Sequence, residues 1–381
     1  MKVALLVPGF NYPGDAVGND VHGMYANLRD AGIACGVFCH SPHGRPDIAG
    51  GSFHDALEWL TADDLVVYHY VGGDQLGLDT LRAVGCQVIL RYHNVTPSHF
   101  FAGISDEFVT SCEEGKRQLA DFLKLPRVTA CSASSYSAAE LVSTGLPAAR
   151  SLVLPPFHMT NELQEAARAH SRHDAAQAHK QLLYVGRVAP HKGIETLLSV
   201  LATLVERTKS SMTLTIVGGR DARLERYFDK LSSTIKEHRI EESVRFRHDL
   251  TVAELARCYA SADVFVTCSE HEGFCVPVIE AMALGVPVVA RNSTALPETV
   301  GSAGILCSDH ADFVHAIEKL ISDKHARDEL SARGRQRYEE QFDTGRIGAA
   351  FKALLQTTAH PETAPPPRKP VPWWRRWTWR G

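Results

Sequence analysis

Short apolar runs alternate with amphipathic stretches along almost the whole chain. This alternation predicts two parallel β-sheets that are covered by helices. The runs predicted as strands in the first half are Val3–Val7, Ile33–Phe38, Leu65–His69, Gln87–Tyr92, Val128–Cys131 and Leu152–Leu154. The second series comprises Leu182–Val185, Leu214–Val217, Val244–Arg247, Val264–Thr267 and Val286–Ala290. Because most positions in these runs are apolar, they indicate strands that are buried on both faces. The predicted fold class is α/β, with two doubly wound parallel sheets.

The break between the two series of strands predicts a hinge near Pro155 and Pro156. We expect the last helix to return toward the first domain, and the proline-rich end to be flexible. The predicted divisions are an N-terminal domain at 1–157, a linker at 158–180, a C-terminal domain at 181–340, a C-terminal helix at 341–359 and a tail at 360–381.

Composition narrows the class of protein. The 381 residues are 44% hydrophobic and 22% charged, which is typical of a soluble globular protein, and the net charge of −4 argues against a nucleic-acid binder. The start of the chain is interpreted as a β-strand, since its apolar run is too short for a signal peptide or a membrane span. Nine cysteines occur without metal-ligand spacing. We expect them to be buried and reduced, which favours the cytoplasm.

The segment from Ser269 to Met282 carries the strongest chemical pattern. It follows an apolar run, turns at Gly273 and contains Pro277, which suits the first turn of a helix. The amides of Gly273, Phe274 and Cys275 would then lie at the positive end of a helix, where anions bind. Two carboxylates, Glu272 and Glu280, flank this turn and could accept hydrogen bonds from sugar hydroxyls. Amides that can donate hydrogen bonds to a phosphate thus lie beside carboxylates that can accept hydrogen bonds from sugar hydroxyls. This combination suggests a nucleotide-sugar pocket.

This segment resembles the E-x7-E signature of the retaining nucleotide-sugar glycosyltransferases, glycosyl transferases group 1, which have the GT-B fold. The resemblance covers about residues 1–355 and implies two Rossmann-like lobes that face each other across a cleft. It also implies that Glu272 contacts the transferred sugar and that Glu280 contacts the ribose of the donor.

A second motif runs from Gly186 to Gly193, where a strand is followed by a glycine turn and a helix start. Arg187 and Lys192 lie in this turn, and both could hold a diphosphate. The motif resembles the G-R-x4-K-G segment of the same family, whose Arg and Lys bind the donor diphosphate.

Two further candidates lie in the first half. Gly18 belongs to a glycine-containing loop after the first strand, and such loops let the backbone approach a phosphate. This loop departs from the Gly-Gly pair common in the family. His93 follows a strand, at the sheet edge where open α/β folds bind ligands. The family carries a His at a comparable strand end, which implies that His93 lies close to the transferring sugar. Ser132, Ser134 and Ser135 follow the next strand, and one of them is expected to cap a helix.

We expect no cofactor and no metal. No isolated D-x-D motif follows a strand, so Arg187 and Lys192 would replace a metal electrostatically.

The resemblance implies a metal-independent hexosyltransferase that uses a nucleotide-sugar donor and a saccharide or lipid-linked acceptor in cell-surface polysaccharide biosynthesis, such as capsule or lipopolysaccharide. GDP-mannose and UDP-hexose both remain open as donors. Two alternatives also remain: a sugar-nucleotide epimerase or sugar phosphorylase on the same fold, and a non-catalytic scaffold.

The tail combines aromatic and basic residues. Trp373, Trp374, Trp377 and Trp379 are interleaved with Arg375, Arg376 and Arg380. Trp favours the headgroup region of a bilayer, and basic residues are attracted to anionic lipids. We therefore expect a cytoplasmic protein with peripheral contact to the inner face of the membrane.

Overall fold

The computed structural model describes residues 1–168, 179–208 and 211–359. Its parallel strands form two sheets, and all eleven predicted strands are present. In chain order the strands are β1 (Val3–Leu6), β2 (Cys35–Cys39), β3 (Gly50–Ser52), β4 (Leu65–Tyr70), β5 (Gln87–Tyr92), β6 (Val128–Ser132), β7 (Ser151–Val153), β8 (Lys180–Val185), β9 (Met212–Val217), β10 (Val244–Arg247), β11 (Val264–Thr267), β12 (Val288–Arg291) and β13 (Ile305–Cys307).

Helices alternate with these strands. They are α1 (Ala16–Asp30), α2 (Phe53–Trp59), α3 (Gln75–Ala83), α4 (Asp106–Leu123), α5 (Ser135–Ser143), α6 (Thr160–Arg168), α7 (Ile194–Thr208), α8 (Glu225–Glu237), α9 (Val252–Ser261), α10 (Val276–Ala283), α11 (Leu296–Val300), α12 (His310–Ser322), α13 (Lys324–Arg337) and α14 (Thr344–Ala359), with a π-helical turn at Tyr338–Phe342.

The contacts divide the chain into two compact units. Unit 1 comprises Met1–Pro97, Thr110–His158 and the described residues from Asp343 onward, and unit 2 comprises Ser98–Val109 and Met159–Phe342. The sequence divisions assigned 98–109 to the first domain. That segment instead packs within unit 2, since the ring of Phe101 lies 5.8 Å from that of His191. A short amphipathic segment does not show by its pattern which sheet it will cover.

Unit 1 contains a seven-stranded parallel sheet in the order β3-β2-β1-β4-β5-β6-β7. Strands β1, β2 and β4 are buried along their whole length, as their apolar composition predicts. Helix α14 contributes Ile347, Phe351 and Leu355 to the same core. The last helix therefore packs with the first strands of the chain. Helix α5 begins after Ser134, whose side chain accepts from the amide of Ser137, so the expected cap is confirmed.

Unit 2 contains a six-stranded parallel sheet in the order β10-β9-β8-β11-β12-β13. In each sheet the strand order reverses direction at one point, between β1 and β4 in unit 1 and between β8 and β11 in unit 2. Open α/β sheets bind ligands beyond the carboxyl ends of the strands at such a point. The segments after β8 and β11 are therefore the first place to look for a site in unit 2.

The nine cysteines are all buried and none forms a disulfide, which confirms the expectation that they act as small apolar residues.

Candidate functional site

The loop from Cys268 to Cys275 connects β11 to α10 and carries the first acid of the E-x7-E motif. Pro277 lies in the first turn of α10, as predicted. Cys275 caps this helix in the left-handed conformation, with φ of 77°, and its side chain makes no capping hydrogen bond. The chain therefore turns sharply into the helix, which places Glu272 before the turn and Glu280 in the second turn of the helix.

Glu272 is held on both its side chain and its backbone. Its carboxylate lies 2.8 Å from the ammonium group of Lys192, and only about a tenth of its side chain is exposed. Its backbone N–H donates to the hydroxyl of Thr294 over 3.0 Å. Two site residues predicted from separate motifs thus meet as an ion pair.

The turn that carries Lys192 is fixed against the Glu272 loop. Gly193 follows Lys192 with φ of 64°, and a Cβ at Gly193 would lie 2.1 Å from the carbonyl oxygen of Cys268. Only glycine tolerates both this conformation and this approach. In addition, the carbonyl of His191 accepts from the amide of Glu270 over 2.8 Å. The two loops at the switch point therefore contact each other directly.

Arg187 follows β8 at the same edge of the sheet. Its side chain is exposed, and the guanidinium carbon lies 5.9 Å from the centre of the Phe108 ring. Among the residues that the structure describes, no carboxylate forms an ion pair with it. An exposed guanidinium without an acidic partner is well suited to bind a phosphate.

The amides at the start of α10 supply further donors. Phe274 and Cys275 are buried, at 6% and 8% exposure. Within 1–168, 179–208 and 211–359, their backbone N–H groups meet no hydrogen-bond acceptor. Buried amides are nearly always paired with protein, water or a ligand. Together with the helix dipole, these two amides and the neighbouring Gly273 form an environment that favours an anion.

Glu280 lies on α10 and is 6% exposed. The hydroxyl of Tyr259 donates to one of its carboxylate oxygens over 2.7 Å. Burial raises the pKa of Glu280 to about 7, although the hydrogen bond from Tyr259 favours the ionised form. The other carboxylate oxygen is left to accept from a ligand.

Unit 1 contains a separate cluster around His93. The Nε2 atom of His93 lies 2.9 Å from Nδ1 of His69 and 3.8 Å from the carboxylate of Asp20. Asp20 in turn accepts from Arg91 over 2.8 Å, and both of these side chains are fully buried. Burial lowers the pKa of His93 to about 4, so this imidazole is neutral at pH 7.

Asp20, His69 and His93 are also the residues, within the described ranges, whose ligand atoms lie close enough to hold a metal ion, within 4.8 Å of one another. Their hydrogen bonds argue against that role. One oxygen of Asp20 accepts from Arg91 and the other accepts from the amide of Phe157 over 2.7 Å. A dication would therefore compete with an adjacent guanidinium for the same carboxylate. The trio fits a hydrogen-bonded network better than a metal centre.

The packing of its own loop explains why a glycine occupies position 18. Its N–H donates to the side chain of Asp15 over 2.7 Å, and a Cβ at Gly18 would lie 1.9 Å from the carbonyl oxygen of Asn11. Close packing of the loop thus requires glycine here. A role for Gly18 in binding a phosphate stays a prediction.

Sequence reasoning missed the residues that hold the predicted ones. Asp20, His69, Tyr259 and Thr294 each contact a predicted site residue from a distant part of the chain. His69 offered one signal, since it was predicted at the carboxyl end of a strand beside that of His93. The other three residues have no motif of their own.

Comparisons with known proteins identify relatives of this chain. Residues 166–337, which lie within unit 2, match the family described as Glycosyl transferases group 1. The chain is 31% identical over 195 residues to a glycogen synthase from Mycobacterium tuberculosis, an alignment that covers 50% of this chain and 46% of that protein. It is 34% identical over 155 residues to the O-antigen chain mannosyltransferase B of Escherichia coli, with 40% and 39% covered. The chain thus spans less than half the length of these two curated relatives.

A solved structure extends the likeness to both units. HepE from Anabaena, in complex with UDP and glucose, superposes with a TM-score of 0.74 at 17% identity, covering 94% of this chain and 100% of that one. At this level of identity the comparison concerns the fold alone, and it confirms the predicted GT-B fold. The match to the Glycosyl transferases group 1 family lies within unit 2, which also contains Arg187, Lys192, Glu272 and Glu280.

Proposed function

We propose that this chain is a retaining, metal-independent glycosyltransferase that moves a hexose from a nucleotide sugar to a saccharide or lipid-linked acceptor. The observation that carries the proposal is the surface at the switch point of unit 2. There an exposed Arg187, the Lys192–Glu272 pair and two buried amides without acceptors surround the start of one helix. Cations and amides suit a diphosphate, and the acids suit sugar hydroxyls.

Each residue has a distinct task in this proposal. Arg187, Lys192 and the amides of Gly273, Phe274 and Cys275 bind the diphosphate and stabilise the negative charge that grows on it as it leaves. Glu280 accepts from the ribose, and Glu272 contacts the transferred sugar. His93 of unit 1 stays a predicted catalytic residue, and as a neutral imidazole it would hydrogen-bond to a substrate rather than serve as a fixed cation.

GDP-mannose and UDP-hexose are the donors to test first. The relative from Escherichia coli is named a mannosyltransferase, and the HepE structure contains UDP and glucose. The O-antigen relative also supports a role in cell-surface polysaccharide biosynthesis for the present chain.

A panel of nucleotide sugars, screened by thermal shift, tests the proposal. A ligand at 100 times its dissociation constant adds about 2.7 kcal/mol to the free energy of unfolding, which is readily detected. The donor identified is then supplied with candidate acceptors, and NMR of the product reports whether the anomeric configuration is retained. No stabilisation by any nucleotide sugar would contradict the proposal.

The same transfer assay, repeated after dialysis against EDTA, tests the absence of a metal requirement. We expect full activity with EDTA, because Arg187 and Lys192 provide fixed positive charge for the leaving group. Loss of activity that added magnesium or manganese restores would overturn the assignment of the leaving-group residues.

The affinity for the donor is expected to rise with pH as Glu280 ionises. In the free protein the pKa of Glu280 is about 7, and ribose hydroxyls that donate to the carboxylate stabilise its ionised form. Binding therefore lowers this pKa, so donor affinity increases as pH rises toward 7 and levels off above it. Calorimetric titrations between pH 5.5 and 8.5 measure the effect.

Two variants define the origin of that pH dependence. Tyr259→Phe removes the hydrogen bond that favours the ionised form of Glu280. The midpoint of the rise in donor affinity should therefore move to higher pH. Tyr227→Phe is the matched control, since Tyr227 is equally buried and donates to a different acid, Glu195, over 3.2 Å. A Glu280→Gln protein that kept the wild-type pH profile would exclude Glu280 as the titrating group.

Contact with the membrane surface is proposed for the tail at 360–381, which lies outside the described residues. No helix of the described part of the chain is long and apolar enough to cross a bilayer. Each basic residue near an anionic leaflet contributes about 1 kcal/mol to the free energy of membrane binding. We expect the full chain to co-sediment with anionic liposomes and a chain ending at Thr358 to remain in the supernatant. Equal sedimentation of the two proteins would refute this contact. It would also refute the proposal that the tail holds a cytoplasmic protein at the inner face of the membrane.

A further inference from the structure

Thr294 is the residue whose backbone is hardest to explain by local sequence. It lies between β12 and α11 with φ of 47°, in the left-handed region. A β-branched residue is a genuine outlier there, because its side chain crowds the backbone. Such a conformation persists only where the surrounding structure enforces it, and it concentrates at functional sites.

The hydroxyl of Thr294 accepts the backbone N–H of Glu272 over 3.0 Å. This contact joins positions that are 22 residues apart. The amide that it satisfies belongs to the residue whose carboxylate pairs with Lys192. The unusual conformation of Thr294 therefore coincides with a contact to the central acid of the site.

The neighbours of Thr294 hold the same loop at other points. Arg291 donates to the carbonyl of Cys268 over 2.9 Å, Ser293 donates to that of Ser269 over 2.6 Å, and Thr299 donates to that of Phe274 over 2.6 Å. The segment 291–299 is thus hydrogen-bonded to the Glu272 loop both before and after Glu272. Thr294 is the only one of these four side chains that accepts from the loop rather than donating to it.

We propose that Thr294 is a positioning residue that sets the place of Glu272 through its backbone amide. This inference rests on the proposed transfer reaction. The carboxylate of Glu272 pairs with Lys192, while the hydroxyl of Thr294 fixes the peptide from which this side chain extends. A displacement of about 1 Å at such a group is enough to lower turnover about 100-fold.

Three variants separate the hydroxyl from the shape of the side chain. Thr294→Val keeps the branched shape and removes the acceptor, and it should lower kcat for donor turnover about 10- to 100-fold with donor KM changed less than threefold. Thr294→Ser keeps the acceptor and should restore kcat to within about twofold of wild type. Thr234→Val is the control, since Thr234 lies on α8 and its hydroxyl donates to the carbonyl of Lys230 in its own helix.

Amide hydrogen exchange over residues 268–275 provides a readout that needs no activity. In the Thr294→Val protein the amide of Glu272 should exchange faster than in wild type, and in Thr294→Ser it should exchange at the wild-type rate. Wild-type kcat in the valine variant, or an equal loss of kcat in the serine variant, would overturn the inference. If the wild-type protein turned over no nucleotide sugar, the proposed function would fail, and unchanged exchange in Thr294→Val would by itself refute the positioning role.

Discussion

Replacing Glu272 with Gln should lower turnover about 100- to 1,000-fold while leaving donor affinity nearly unchanged. The transferred sugar gains positive charge only as its bond to the diphosphate breaks, so the carboxylate stabilises chiefly the transition state. In the free protein Glu272 also neutralises Lys192, at 2.8 Å. Its removal leaves the ammonium group free to contact phosphate, which supports binding of the donor. Kinetics and calorimetry with the identified donor measure the two effects separately.

Glu270→Gln is the matched control, because Glu270 is an exposed acid two residues earlier in the same loop. It should retain nearly full turnover. A Glu272→Gln protein whose donor affinity fell as far as its turnover would place this carboxylate in ground-state binding instead. Equal losses in the two variants would point to the net charge of the loop rather than to one carboxylate.

Most of the fold was readable from the sequence because buried parallel strands carry a dense apolar signal. The two strands that were missed, β3 and β13, have only three residues each. Both occupy the edge of a sheet, and β3 consists of Gly50, Gly51 and Ser52. An edge strand is hydrogen-bonded on one side and needs little apolar surface, so the sequence of β3 resembles a turn. Strand β13 is apolar, but three residues are too few to indicate a strand.

The site divides in a similar way. Arg187, Lys192, Glu272 and Glu280 were found because each follows a strand in a recognisable local spacing. Their partners could not be found in this way, since a hydrogen bond between Thr294 and Glu272, or between Tyr259 and Glu280, depends on how separate segments pack. The Lys192–Glu272 pair shows the same limit, because both residues were predicted but their contact was not.

Replacing Lys192, the partner of Glu272, should affect donor binding, turnover and stability. Lys192→Met should weaken donor affinity about 10- to 100-fold, since a charged hydrogen bond contributes about 1.5–3 kcal/mol. It should also lower turnover about 100- to 1,000-fold, because the negative charge on the diphosphate grows as it leaves. Lys236→Met, at an exposed lysine on α8, is the control and should change neither quantity.

Stability gives a separate test of the same contact. Lys192 and Glu272 are 15% and 10% exposed in their side chains, so removing either partner leaves a largely buried charge unpaired. We expect Lys192→Met and Glu272→Gln each to lower the free energy of unfolding. The double variant should cost less than the two single losses combined, with a coupling of about 0.5–3 kcal/mol. Denaturant unfolding of the four proteins measures that coupling, and strict additivity would mean that the pair does not contribute to the ligand-free state.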